Sequence, residues 1–372
     1  MTARPTIVIV TDRHLFPVNE GTRARIVTLI RSLRALGFFV VLVTSSPGKR
    51  RALQTRWLVD RLVVVDAPAF PGGSPSAYDC APFEPGVRSV VERFSPVAVI
   101  AEYIWMAPCL EQVRNGAMRL VDTHDLMHVR RALSDSLSDV WVTCTPEEER
   151  HLLEKADAII AIQPNEQRRF RELVPDREVI CIPHHVPVPH RREKRDRAVV
   201  AVVGSGNPVN VAGLRWFLDE AWPLVRRQRP ETELRIFGDL ARAAPPAEGV
   251  VPVGFVRTLR RAYRDAAVVI NFVRVGTGLK IKTVEALAHG CAVVTTSCGA
   301  EGLESGAGRA FLVEDDPERF GLAVAALLGD RHARSRLESA ATMFARAEFS
   351  RERVYGSFLR ALSARASVST SR

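Results

Sequence analysis

The strongest constraint on this chain is a series of short, continuously apolar and β-branched runs that alternate with stretches of helical spacing. Thr6–Thr11 reads Thr-Ile-Val-Ile-Val-Thr, apolar on both faces. Such a run is stable as a strand when its sheet is covered on both sides, which is the situation of a parallel sheet flanked by helices. A polar loop with Pro17 and Gly21 follows, residues 26–36 carry apolar positions at helical spacing before Gly37, and 38–44 is apolar again. That is a β-α-β unit. Further strands are expected at 62–65, 97–101, 119–121, 158–162 and 179–182.

At Pro183 the texture changes to Pro-His-His-Val-Pro-Val-Pro-His-Arg-Arg-Glu-Lys-Arg-Asp, dense in proline and then in charge. A buried strand cannot continue through it. A second alternating run begins at Val199–Val203. It continues through a helix at 211–227, a strand at Glu233–Phe237, a helix at 258–265, a strand at 268–272, a helix at 279–289 and strands at Ala292–Thr295 and 311–313. The expectation is an α/β protein of two doubly wound, Rossmann-like domains: 1–185, a linker at 186–198, and 199–350. A last helix at 351–366 is expected to pack back on the first domain, with 367–372 as a frayed tail. Sheets of this kind bind ligands at the carboxyl ends of their strands.

With 372 residues, two cores are affordable in size, and 47% hydrophobic with 25% charged residues is the balance of an ordinary globular protein. The formal charge of +10 raises the question of polyanion binding. The excess lies in the second half, where 191–372 holds 29 Lys+Arg against 20 Asp+Glu, while 1–190 holds 23 against 22. No basic stretch is interleaved with aromatic residues, so nucleic acid is not an expected partner. The six cysteines form no Cys-x-x-Cys pair, which fits a reducing cytoplasm and suggests neither a zinc site nor a disulfide scaffold. No apolar run reaches the roughly 18–20 residues of a membrane span.

Chemistry is concentrated between Arg274 and Gly290: Arg-Val-Gly-Thr-Gly-Leu-Lys-Ile-Lys-Thr-Val-Glu-Ala-Leu-Ala-His-Gly. Two of the chain's five lysines, Lys280 and Lys282, stand at the start of a helix. Positive charge there opposes the helix dipole unless an anion is bound. Gly276 and Gly278 permit close backbone approach, so the turn, the free amides and the lysines together would cradle a diphosphate. The residues alone leave a second reading open, in which the lysines are solvated and Lys282 pairs with Glu285 at i,i+3 for roughly 0.2–0.5 kcal/mol. Gly204-Ser-Gly206 after a strand lacks the third glycine of a dinucleotide fingerprint, since Val209 stands there; a turn with Asn210 as helix cap is the alternative to a phosphate loop. His184 and His185 lack partners at metal-ligand spacing and read as loop residues.

The 274–290 stretch resembles the C-terminal signature of the GT-B glycosyltransferases in the retaining family called glycosyl transferases group 1, in particular the bacterial subset with Gly-Thr-Gly-Leu-Lys-Ile-Lys before Glu-Ala-Leu-Ala-x-Gly. The resemblance extends to Val202-Val-Gly-Ser-Gly-Asn-Pro-Val-Asn-Val with Trp216-Phe217, to Cys298-Gly-Ala-Glu-Gly-Leu, to Glu20-Gly-Thr-Arg-Ala-Arg25 and to Asp122-Thr-His-Asp125. It implies two Rossmann-like domains facing each other across a cleft. It implies a transferase that moves a sugar from a nucleotide diphosphate-sugar to an acceptor hydroxyl, in cell-surface polysaccharide or glycoconjugate synthesis.

By the same resemblance His124, Lys280 and Arg274 are catalytic, His124 lying near the transferred sugar. Gly21, Gly204, Gly206, Gly276, Thr277, Gly278, Leu279, Lys282 and Glu285 bind the nucleotide-sugar, with Glu285 on the ribose hydroxyls, and Arg25 stands on the acceptor side. The commoner motif has a second glutamate eight residues before Glu285; this chain has Thr277 there, as the Gly-Thr-Gly subset does, which leaves the donor sugar open. No Asp-x-Asp occurs, and neither metal nor cofactor is expected. The expected partners are the donor and a carbohydrate or lipid-linked acceptor, with at most weak peripheral contact at the inner membrane face. A sugar-nucleotide epimerase on the same fold, or an inactive nucleotide-sugar-binding partner protein, would share these motifs.

Overall fold

In a computed structural model, residues 4–46, 48–129, 142, 144–189 and 198–370 are described. The chain divides into two compact units, one of 1–18, 22–185 and 354–372, the other of 19–21 and 186–353. Most of the linker expected at 186–198 falls at 190–197, outside the described residues.

The first unit is a seven-stranded sheet in the order β3-β2-β1-β4-β5-β6-β7, and every adjacent pair is parallel. Its strands are β1 (Thr6–Thr11), β2 (Phe39–Ser45), β3 (Arg61–Val65), β4 (Ala98–Glu102), β5 (Met118–Asp122), β6 (Ala158–Ala161) and β7 (Glu178–Cys181). Helices α1 (Gly21–Ala35), α2 (Lys49–Leu58), α3 (Glu84–Phe94), α4 (Pro146–Leu153) and α5 (Pro164–Leu173) form the connections. β1 is buried at all six positions, and its side chains divide between two cores. Val8 and Val10 pack toward α3, and Ile7 and Ile9 toward α1. That is why the run shows no polar alternation.

The second unit is a six-stranded parallel sheet, β10-β9-β8-β11-β12-β13. Its strands are β8 (Val199–Val203), β9 (Glu233–Phe237), β10 (Val250–Gly254), β11 (Val268–Asn271), β12 (Ala292–Thr295) and β13 (Leu312–Val313). Its helices are α6 (Pro208–Trp216), α7 (Trp222–Gln228), α8 (Leu259–Arg264), α9 (Ile281–Ala288), α10 (Pro317–Gly329) and α11 (Arg331–Phe349). The single helix expected at 211–227 is split by a π-turn at Phe217–Ala221. Pro223, just beyond it, has no amide to give to the carbonyl four residues back, and a wide turn accommodates that loss.

α12 (Arg351–Thr370) returns to the first unit, where Val354, Tyr355 and Phe358 join the core behind α1. Ser357 donates to the carbonyl of Cys181 at 3.2 Å. Residues 367–370, expected to fray, continue this helix.

Candidate functional site

Each sheet lists its strands as third, second, first, fourth, fifth and sixth, so each reverses direction between its first and fourth strands. Crevices at such reversals are where open parallel sheets take ligands. In the second unit the loops leaving β8 and β11 meet this criterion, and they carry 204–207 and 272–280.

α9 begins without a side-chain cap, so its first amides keep no side-chain acceptor. Its N-terminus is pinned by buried polar contacts: Asn271 Nδ2 donates to Thr283 Oγ1 at 2.8 Å, Thr283 donates to the Gly299 carbonyl at 3.1 Å, and Thr295 donates to the Asn271 carbonyl at 2.9 Å. A Cβ on Gly299 would stand 2.0 Å from Thr295 Oγ1, so only glycine fits there. Gly276 and Gly278 have φ of 131° and 80°, conformations that disfavour a side chain. Leu279 is buried. The Thr277 hydroxyl is enclosed without a hydrogen-bond partner.

Neither lysine is a solvated charge. Lys280 Nζ curls back to the carbonyls of Gly278 (2.8 Å), Thr277 (3.2 Å) and Gly276 (3.4 Å), and lies 3.5 Å from Glu301. Lys282 Nζ donates to Asn210 Oδ1 at 2.6 Å, and Asn210 Nδ2 donates to the carbonyl of Ser205 at 2.9 Å. One lysine thus ties the loop after β11 to the loop after β8. The pairing of Lys282 with Glu285 does not form; Glu285 Oε2 is instead faced by the Tyr263 hydroxyl at 3.4 Å. Burial, and then the charge of Lys280, pulls the Lys282 ammonium down to about 7, and burial pushes the Glu285 carboxyl up to about 7. Both side chains nevertheless keep part of their surface open.

Gly204 and Gly206 have a packing reason. A Cβ on Gly204 would meet Leu240 Cδ2 at 2.8 Å, and one on Gly206 would meet the Asp239 carbonyl at 3.4 Å. The cap of α6 is Asn207, whose Oδ1 accepts the Asn210 amide at 2.8 Å, and not Asn210. Arg274 is exposed, its guanidinium 5.2 Å from the centre of the Trp216 ring. It is absent from the hydrogen bonds that join the lysines to the two loops.

In the first unit the corresponding reversal lies between β1 and β4. Glu102 ends β4, Asp122 ends β5, and His124 follows. His124 is 8% exposed; its Nε2 is 2.6 Å from Glu102 Oε2 and its ring is stacked on Tyr103 at 4.1 Å. Gly21 opens α1.

Arg25, expected to face an acceptor, is 4% exposed and turned inward. Its Nε and Nη2 donate to Asp122 at 2.8 and 2.7 Å, and Nη1 donates to the Ile182 carbonyl at 3.0 Å. An arginine on the buried stripe of an amphipathic helix goes to the nearest carboxylate, so Arg25 is a structural partner of Asp122. His184 and His185 lie outside regular structure but are buried, and burial followed by the Arg25 and His185 charges pulls His184 down to about 3. Glu102, Asp122 and His124 bring ligand-type atoms within 4.8 Å of one another, yet both Asp122 oxygens are already occupied by Arg25.

Residues 20–185 match the family described as glycosyl transferase 4-like domain, and residues 197–330 match the family described as glycosyl transferases group 1. The chain carries both domains of a group 1 glycosyltransferase. Among solved structures, this glycosyltransferase is similar in fold to sucrose-phosphate synthase of Thermosynechococcus elongatus, at 16% identity and TM-score 0.73 over 97% of this chain and 100% of that one. It is likewise similar to HepE of Anabaena in complex with UDP and glucose, at 14% identity and TM-score 0.71 over 96% and 99%. TarM of S. aureus gives 10% identity and TM-score 0.72 over 96% and 99%. An uncharacterized 44.6 kDa protein of the cps region of Klebsiella pneumoniae is 28% identical over 158 residues, 38% of this chain and 41% of that protein. The match therefore spans less than half of that relative's length. Among the described residues of this glycosyltransferase, no helix is long and apolar enough to cross a membrane.

Two groups of the site escaped sequence reasoning. Tyr263 sits on a short, basic helix whose pattern gives no hint of a site. Glu102 had a signal, a carboxylate closing an otherwise apolar strand, where burial is unfavourable without a purpose.

Proposed function

We propose that this enzyme transfers a sugar, with retention of configuration, from a nucleoside diphosphate-sugar to an acceptor hydroxyl in the assembly of a cell-surface polysaccharide. The observation that carries the reading is the junction at the second unit's switch point, where Lys282 bridges to Asn210 beside the uncapped start of α9 and beside Lys280. Two lysines and a helix start without a side-chain cap, already fixed by a polar network, match a diphosphate. As the bond from the anomeric carbon to phosphate oxygen breaks, negative charge grows on the leaving diphosphate, and groups held in place stabilise it more than they stabilise the ground state. Glu285 is the acceptor for the ribose hydroxyls. His124 acts on the transferred sugar. UDP in the HepE structure and the cps region of the Klebsiella relative support the donor class and the pathway class, respectively.

The reading extends to weak peripheral contact with anionic membrane. Its support is α2, a helix with no acidic residue in its sequence, on which Leu53 and Trp57 are 62% and 81% exposed.

The decisive experiment is calorimetry of the purified protein with UDP, GDP and ADP, together with acceptor-free hydrolysis of the corresponding sugar nucleotides. One nucleoside diphosphate should bind, and its sugar derivative should be cleaved slowly to the free sugar, with the anomer first released read by NMR. Absence of binding by all three would overturn the reading. Binding without cleavage would favour the inactive binding protein.

A further inference from the structure

We propose that Glu102 is a positioning residue that acts through His124, its carboxylate fixing the tautomer and the plane of the imidazole. The inference rests on the glycosyltransferase reading for what His124 does, but not for the pairing itself.

An otherwise apolar strand ends on a carboxylate, where none is expected. β4 is buried at every position, and Glu102 at its end is 0% exposed. The charge that could have neutralised it is committed elsewhere, because Arg25 gives two nitrogens to Asp122 and the third to a carbonyl. Among the described residues Glu102 Oε1 has no hydrogen-bond partner, and the one bond of this side chain runs from Oε2 to His124 Nε2 at 2.6 Å. A buried acceptor left half satisfied is unfavourable, and natural cores rarely retain one without a use.

The ring is held on its faces as well. His124 stacks on Tyr103 with 20° between planes, Tyr103 stacks on Trp105 at 4.1 Å, and the Tyr103 hydroxyl shares a hydrogen bond with Thr22. Both stacked partners have a positive φ, His124 at 60° and Tyr103 at 75°. Non-glycine residues adopt a positive φ where the surroundings force them, and such positions cluster at functional sites. A histidine that merely filled a core would require neither the strain nor the orphaned oxygen. Among the described residues, Nδ1 has no hydrogen-bond partner, so the ring's second nitrogen is the one left for a ligand. With Glu102 ionised, Nε2 carries the proton and Nδ1 is the acceptor of the neutral ring; with Glu102 protonated the assignment reverses.

The groups facing this pair are Asp122 from β5, Arg25 from α1, and, around Arg25, Tyr355 of α12 and His184 after β7. Burial, and then the charge of Asp122, raises the Glu102 carboxyl above the ordinary carboxylate range, against the opposing pull of His124 and Arg25. Protonation on acidification therefore begins at a higher pH than for an exposed glutamate. Turnover should be lost as pH falls through that midpoint.

The test uses Glu102→Gln, which keeps shape and hydrogen bonding and removes only the charge, beside Glu102→Asp and His124→Gln. Acceptor-free UDP-glucose hydrolysis is followed from pH 5 to 9, UDP affinity is measured by calorimetry, and the His124 ring is observed by 15N NMR, assigned as the signals missing from His124→Gln. Expected for Glu102→Gln are a kcat about 10- to 100-fold lower, KM and UDP affinity within about twofold of wild type, loss of the acid limb, and a mixed tautomer where the wild type is Nε2-protonated. The double variant should be no slower than His124→Gln alone. An unchanged kcat and tautomer, or equal losses of kcat, UDP affinity and melting temperature, would overturn the proposal. If the wild type binds none of UDP, GDP and ADP and cleaves none of their sugar derivatives, the proposed function has failed, and the NMR tautomer still decides the pairing; if it takes a nucleotide other than UDP, that nucleotide and its sugar derivative replace UDP and UDP-glucose in the assay.

Discussion

Proton linkage offers a sharp handle on the proposed nucleotide site, because its two central groups are displaced in opposite directions to the same place. Lys282 is pulled from 10.5 to about 7 and Glu285 is pushed from 4.5 to about 7, each chiefly by burial. At pH 7 each is therefore about half protonated in the empty protein. A bound diphosphate requires charged Lys282, and ribose hydroxyls require charged Glu285, so UDP binding draws about half a proton onto the lysine and expels about half a proton from the glutamate. The wild type should show almost no net exchange at pH 7, net uptake approaching one proton toward pH 8, and net release approaching one toward pH 6. Affinity should peak near neutrality and fall by up to about tenfold per pH unit on either side.

The variants separate the terms. Glu285→Gln should take up about half a proton at pH 7, and Lys282→Gln should release about half. Calorimetry in buffers of different ionisation enthalpy measures these numbers as slopes. Without ligand the stability signs are the reverse of each other. Glu285, with its folded value raised, contributes stability that is lost as pH rises from about 4.5 to 7, and Lys282, with its folded value lowered, contributes stability gained from about 7 to 10.5. Zero slopes in all three proteins, with UDP still bound, would refute the reasoning.

Arg25→Met should leave Asp122 buried and uncompensated and destabilise the first unit by about 3–5 kcal/mol in urea unfolding, whereas a change below about 1 kcal/mol would mean the pair is not sealed from water. Sedimentation with vesicles of anionic phospholipid at low salt should retain a minor fraction of the protein, released at high salt and reduced by Trp57→Ala. Equal retention by the wild type and the variant would exclude α2 as the contact.

Much of the fold was legible because its strands are buried on both faces. β8, β9 and β12 stand at the boundaries expected from sequence, since an unbroken apolar run ends where burial ends. β10 was missed because Pro252 sits at its centre, which argues against an interior strand. It lies at the sheet edge, where a missing amide is tolerated, and its middle residues are exposed. α10 and α11 went unassigned despite their cap signals: Asp316 before Pro317 accepts the Arg319 amide at 2.9 Å, and Asp330 accepts the Ala333 amide at 2.9 Å. Of the site, the 276–285 turn was readable because glycine turn, lysines and glutamate are contiguous. The cluster of Glu102, Asp122, His124 and Arg25 was not, because it is assembled from the ends of β4 and β5 and one face of α1, and periodicity places Arg25 without saying which carboxylate it will find.

Equivalent topology in the two units does not give them equivalent chemistry. At the reversal of the second sheet stand two lysines and an uncapped helix start, an environment that favours a polyanion. At the reversal of the first stand Glu102 and Asp122, and the one cation among the residues of that cluster, Arg25, already gives two nitrogens to Asp122. A phosphate there would lie beside the buried carboxyl groups of Asp122 and Glu102, which disfavour an anion, whereas a neutral hydroxyl-rich sugar could donate a hydrogen bond to Nδ1 of the fixed imidazole. On the proposed function, the diphosphate belongs to the second unit and uncharged carbohydrate to the first, a division that would be set by a handful of side chains at strand ends and not by the fold.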